Sequence, residues 1–303
     1  MTRPTKDVGA SVRARLLHLA REHGDDFQLL LTRFANERLL YRLTQSRHHG
    51  SFILKGATLF TLWTGQPHRA TRDVDLLGAG DPSEDRIREI FAELIALEIA
   101  DDGVVFDASS LVVGPIREDQ EYGGVRIEMV ARITAARVRL QIDVGFGDAV
   151  TPSPVRMDLP VLLDFPVPHL LVYPRETVVA EKLDAVVQLG LANSRMKDFY
   201  DLFVLARGFA FDGALLVRAI RATFERRNTP LPVELPMGLT NEFAMDPGKA
   251  TQWTAFGRKS GIHDAADLRT TITTIVAFAK GPLVAAARGL PFDGRWLPGG
   301  PWR

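Results

Sequence analysis

Asp73 and Asp75 are the first residues of this chain whose types and spacing suggest chemistry. They stand two apart in the run 72–77, RDVDLL, which has the length and branching of a strand. Side chains on a strand alternate, so both carboxylates share one face while Val74 and Leu76 share the other. Aspartate is disfavoured in strands, and two on one face repel each other. Either this face lies in water at a sheet edge, or something compensates the charge, and a divalent cation does that well. Upstream, the run 51–55 reads as another strand and ends in Lys55-Gly56-Ala57-Thr58, a turn that opens a helix. A glycine turn lets phosphate approach the backbone, a helix N-terminus favours negative charge, and the carboxylates hold a metal. That layout suits a magnesium-bound nucleotide.

Further candidates follow downstream. In 138–146, Val138, Leu140, Ile142 and Val144 share one face and Arg139, Gln141 and Asp143 the other. Asp143 is the natural third carboxylate if this strand neighbours the first two, and three aspartates can serve one or two magnesium ions. Lys182 falls on the apolar stripe of a helix at 175–191, where a lysine either snorkels to the edge or meets an anion in a cleft. Arg195, Lys197, Asp198 and Asp201 crowd four charges into RMKDFYD, with Asp198 and Asp201 on one helix face. Spacing alone reads this as a salt-bridged surface turn. The seven histidines lack zinc spacing, no cysteine is present, and no nucleophile elbow, Walker loop or dinucleotide fingerprint occurs.

The elements that must position these residues can be read from periodicity. Helices are expected at 11–22, 26–46 (capped by Asp25 or Asp26) and 84–99. After Gly103 the period becomes two, giving strands at 104–114, 125–133 and 138–146, with Tyr122-Gly123-Gly124 as a hairpin signal. Short turns imply antiparallel pairing beside the first two strands, hence a mixed α/β sheet. The proline-rich stretch 152–174 marks a boundary. Helices follow at 175–191, 196–207, 212–227, 247–257 and 264–288, the last broken at Gly281-Pro282. Trp296 and Trp302 of the irregular tail should dock on the body. The expected domains are 1–165 and 166–303.

The 303 residues carry 37 basic and 37 acidic side chains, so net charge does not announce a nucleic-acid binder. Arginines 13, 15, 21, 33, 38, 42 and 47 make the start mildly basic, and Arg218, Arg221, Arg226 and Arg227 cluster later. Such clusters are either solvated helix faces or a patch for a polyanion such as RNA. The absence of cysteine fits a reducing compartment. With no signal-like N-terminus and no run approaching a membrane span, the expected location is the cytoplasm, with no membrane partner.

Taken in order, KGAT, RDVDL, LQIDVGFGD, ETVVAEKLDAV and RMKDFYDL resemble the AbiEii/AbiGii-type nucleotidyltransferase toxins of the polymerase-beta-like superfamily. The resemblance spans about residues 50–207. It implies an α/β (α+β) fold, a mixed nucleotidyltransferase sheet with flanking helices followed by a mostly helical C-terminal domain. Carried over by motif, Asp73, Asp75 and Asp143 would bind Mg²⁺ (Mn²⁺ as a substitute), and Lys182 and Asp201 would join them in catalysis. Lys55, Gly56, Ala57, Thr58, Thr71, Lys182, Arg195 and Asp198 would contact an NTP. Ala57 stands where the superfamily carries Ser or Gly, so a phosphate-binding hydroxyl would come from Thr58 or Thr71. The role implied is a bacterial toxin with a cognate antitoxin encoded beside it, linked to phage defence, that modifies tRNA and blocks translation. Transfer to a small molecule or a protein hydroxyl, or an inactive nucleotide-binding module, are the alternatives.

Overall fold

The computed structural model describes residues 7–116, 123–262 and 266–303; Tyr122 of the expected hairpin signal and His263 lie outside them. The chain forms two compact units. The first comprises Met1–Gly147 and Val155–Val172, the second Asp148–Pro154 and Tyr173–Arg303. The boundary expected at 165/166 falls between two strands of the first unit.

The first unit is built on a seven-stranded mixed sheet. In chain order its elements are α1 (Val8–His23), α2 (Phe27–Gln45), β1 (Phe52–Lys55), α3 (Thr58–Thr64), β2 (Val74–Gly78) and α4 (Glu84–Ala96). Strands β3 (Val105–Pro115), β4 (Val125–Ile133), β5 (Ala136–Phe146), β6 (Val155–Asp158) and β7 (His169–Val172) follow. The strand order is β3-β4-β5-β2-β1-β7-β6. β3, β4 and β5 form an antiparallel meander, β5 lies parallel to β2, β2 antiparallel to β1, and β1 parallel to β7. The expected mixed sheet, with the meander beside the first two strands, is what forms.

Alternation does the positioning. Val138, Leu140, Ile142 and Val144 of β5 and Val74 and Leu76 of β2 are all at most 2% exposed. Leu39, Leu40 and Leu43 of α2 converge on Val74, Leu76 and Ile142, joined by Phe91 and Leu94 of α4. Burying each such side chain contributes about 1.5–3 kcal/mol. A slip of one residue would carry Asp75 and Asp143 into this core, so packing on one face locks the register of the polar face. Helix α2 starts where Asp26 accepts from the Leu29 amide.

Strands β6 and β7 lie within the proline-rich stretch read as a domain boundary. Leu170 and Val172 are buried, and β7 is short because Pro168 and Pro174 close in on it. Prolines are tolerated here because they flank the strands rather than interrupt their ladders.

The second unit is helical: α5 (Arg175–Leu189), α6 (Met196–Gly208), α7 (Gly213–Arg226), α8 (Asn241–Met245), α9 (Pro247–Lys259) and α10 (Leu268–Arg288). A two-stranded ribbon, β8 (Phe211–Asp212) with β9 (Arg295–Trp296), brings the tail back. Contrary to expectation, α10 runs unbroken through Gly281-Pro282. Pro282 has no N–H for the carbonyl four residues back, that of Phe278. The Trp302 indole donates to the Phe278 carbonyl instead, at 2.8 Å. The Trp296 indole donates to the Ala206 carbonyl at 2.7 Å, so both tail tryptophans dock. At 21 residues and a mean hydropathy of 1.4, α10 has the length and composition of a membrane span, contrary to the expectation that no run approaches one. Its apolar residues serve the core of this unit: Ile272, Ile275, Phe278, Ala279 and Leu283 are buried.

Candidate active site

The sheet places four charged residues in one cross-strand row. Arg126 on β4 is directly opposite Asp143 on β5, Asp143 opposite Asp75 on β2, and Asp75 opposite Lys55 on β1. The order is cation, carboxylate, carboxylate, cation. Like charges in register are unfavourable, so a cation flanks the central pair on each side. Arg126 donates from Nε and Nη2 to the two Asp143 oxygens at 2.8 and 2.7 Å. The Gln141 amide lies against the same pair. In one orientation its nitrogen donates to Asp143, and in the other its oxygen accepts from Arg126.

Gly56 closes the row. It adopts φ +74°, and a Cβ there would overlap the Asp75 carboxylate. Only glycine fits, because the backbone is left-handed and the space is taken by the acid itself. Ala57 is buried at the start of α3, with Thr58 half-buried behind it. At seven residues α3 is too short for the anion-favouring helix N-terminus expected there. Asp73 lies one residue before β2 and is exposed. The Thr71 hydroxyl donates to the Asp73 carbonyl at 3.5 Å, a weak contact within the same loop.

Among the described residues no three acidic or histidine side chains form a ready metal cage. Mg²⁺ does not require one. It binds through one or two carboxylates and fills its octahedron with phosphate and water oxygens. Asp75 and Asp143, paired in register beside a turn that only glycine can form, are a hard-oxygen donor set of that kind. Asp73 stands two residues from Asp75.

The second unit holds the lysine side. Lys182 Nζ on α5 lies 2.9 Å from Asp198 Oδ1 and 2.8 Å from Asp201 Oδ2, both on α6. Arg195 Nε donates to the other Asp198 oxygen at 2.7 Å. Asp198 and Asp201 are each 1% exposed, so the surface turn read from spacing is a buried ion network. Burial pushes the Asp198 carboxyl up, but Lys182 and Arg195 outweigh it and hold it below its ordinary 3.8. Lys182 does not snorkel, because the stripe it occupies faces these acids.

A second network anchors the same helix. Arg227 pairs with Asp148 at 3.0 Å, Asp184 at 3.1 Å and Glu181, the neighbour of Lys182, at 3.3 Å. Burial opposes the Arg227 charge, and Glu181 and Asp148 more than restore it, raising its pKa. Arg221 donates to the carbonyls of Ala285 and Ala286 at the end of α10. Two members of the later basic cluster are thus structural. In the first fifty residues, Arg42 is buried on Asp102, Arg33 pairs with Glu37, Arg47 with Glu93, and Arg15 with Asp164. Arg38 is buried among Phe34, Tyr41 and Phe165. These basic segments are largely spent within the fold, and apart from Arg33–Glu37, four residues apart, the ion-pair partners lie at separations that periodicity does not report.

The fold is a mixed sheet carrying register-paired carboxylates beside a glycine turn, with a helical unit that holds Lys182 half-buried against two acids. The chain belongs to the AbiEii family: residues 38–274 match the family described as nucleotidyl transferase AbiEii toxin, type IV toxin–antitoxin system. No curated protein matches the sequence. Solved structures share the fold, two from Helicobacter pylori among them. One is JHP933 from Helicobacter pylori, with TM-score 0.51 and 12% identity, over 87% of this chain and 95% of that one. The other is a candidate nucleotidyltransferase from H. pylori, with TM-score 0.52 and 13% identity, over 88% of this chain and 99% of that one.

Proposed function

We infer that this toxin-family nucleotidyltransferase moves a nucleotide from an NTP to an RNA acceptor, the 3′ end of tRNA, and so blocks translation in the cytoplasm. The observation that carries this reading is the Asp75–Asp143 register pair beside Gly56. The acceptor hydroxyl oxygen forms a bond to the α-phosphorus, the bond from that phosphorus to the bridging oxygen breaks, and pyrophosphate leaves. Asp73, Asp75 and Asp143 would hold Mg²⁺, or Mn²⁺ in its place, which when bound stabilises charge on the attacking and leaving oxygens. Asp143 is the carboxylate assigned to draw the proton from the hydroxyl. Lys182, with Asp201 and Asp198 fixing its ammonium, offsets charge on the β- and γ-phosphates. Lys55, Gly56, Ala57, Thr58, Thr71 and Arg195 complete the nucleotide contacts. The cognate antitoxin is encoded alongside, and the pair acts in phage defence.

Incubation with each labelled NTP, Mg²⁺ and either total tRNA or total protein tests this. Label is expected in tRNA only, and growth inhibition on expression is expected to vanish in Asp73→Ala and Lys182→Ala. Label in protein alone, or undiminished toxicity of both variants, overturns it.

A further inference from the structure

Arg126 was given no role by spacing, yet it takes both oxygens of Asp143. The pairing is no accident of surface rotamers. The two residues are register partners on adjacent antiparallel strands, and side-chain exposure is 34% for Arg126 and 18% for Asp143. A bidentate guanidinium–carboxylate pair is among the stronger charge-assisted contacts. On the other side of Asp143 stands Asp75, and beyond it Lys55. A divalent cation shared by Asp75 and Asp143 would draw on the oxygens that Arg126 holds, and it would be repelled by the guanidinium itself.

We propose that Arg126 is a built-in competitor for the cation at Asp143 and sets the cation concentration at which the carboxylate pair fills. This rests on the reading of Asp75 and Asp143 as the metal-binding pair. Arg126 is a positioning residue here, acting through Asp143. Its opposite number, Lys55, is the register partner of Asp75, and an ammonium lacks the planar fork of a guanidinium.

The test is Mn²⁺ binding to the full chain, followed by electron paramagnetic resonance without nucleotide. Wild type, Arg126→Gln, Arg126→Lys, Asp75→Asn and the double variant Arg126→Gln/Asp143→Asn are compared, with folding checked by circular dichroism. Arg126→Gln is expected to bind Mn²⁺ about tenfold more tightly than wild type. Arg126→Lys, which keeps the charge but loses the fork, should gain less in the same direction. The double variant should lose the gain. Should Arg126→Gln fail to fold, Arg126→Lys decides. Affinity unchanged or weakened in the Arg126 variants, while Asp75→Asn still abolishes binding, overturns the competitor role alone. Binding that is indifferent to Asp75→Asn overturns the metal reading beneath it.

Discussion

On the sheet, Asp75 and Asp143 stand directly opposite each other on a partly exposed face, and the cations lie outside the pair. In the helical unit, Asp198 and Asp201 are buried and both reach Lys182 between them. The first arrangement keeps like charges in register, at some cost to the strands that carry them. The second neutralises opposite charges out of water, where removing one partner strands the others. The sheet side therefore keeps two carboxylates adjacent on a partly exposed face, where a ligand can reach them. The helical side holds a lysine fixed by its own counter-ions. Function and stability should separate at the paired carboxylates and travel together among the helices.

That contrast can be broken most easily at Lys182. Replacing it with alanine should cut transfer by about a hundredfold or more. The same change should destabilise the chain by about 3–5 kcal/mol in urea titration, since two buried carboxylates lose their common partner. A stable Lys182→Ala would show that the buried network is not what holds α5 to α6. Gly56→Ala should cost about 2 kcal/mol and most of the activity, because the added carbon meets the Asp75 carboxylate in a left-handed turn. Asp198 sharpens the comparison through pH. Its carboxyl is held below 3.8, so its stabilising effect is complete above that value and is lost as acid protonates it. The melting temperature of wild type should exceed that of Asp198→Asn at neutral pH, and the gap should close below about pH 4. The smallest effect lies far from the chemistry. Trp302→Phe leaves the Phe278 carbonyl without its donor and should cost about 1 kcal/mol with activity intact.

Much of the sheet side was legible in the sequence. Period-two alternation in β5 gave both its buried face and the polar face of Asp143, and the glycine turn ahead of Asp75 was visible in KGAT. Arg126 was not legible, because its partner is 17 residues away and only the ladder brings them together. Strands β6 and β7 were hidden by prolines that flank them. The continuity of α10 depended on an indole 24 residues further on, which no local rule for proline anticipates. In the helical unit the motif marked Lys182, Asp198 and Asp201, but their spacing suggested an exposed turn. Burial there follows from packing between α5 and α6, which period alone does not report.

The most direct test of the account is Asp75→Asn, assayed for transfer of labelled nucleotide to tRNA and for stability in urea. Asp75 lies between a like charge and a cation in the row, so the substitution should abolish labelling, by about a hundredfold or more, while unfolding free energy stays within about 1 kcal/mol of wild type. An Asp75→Asn protein that labels tRNA at the wild-type rate would contradict the assignment of this row as the catalytic carboxylates.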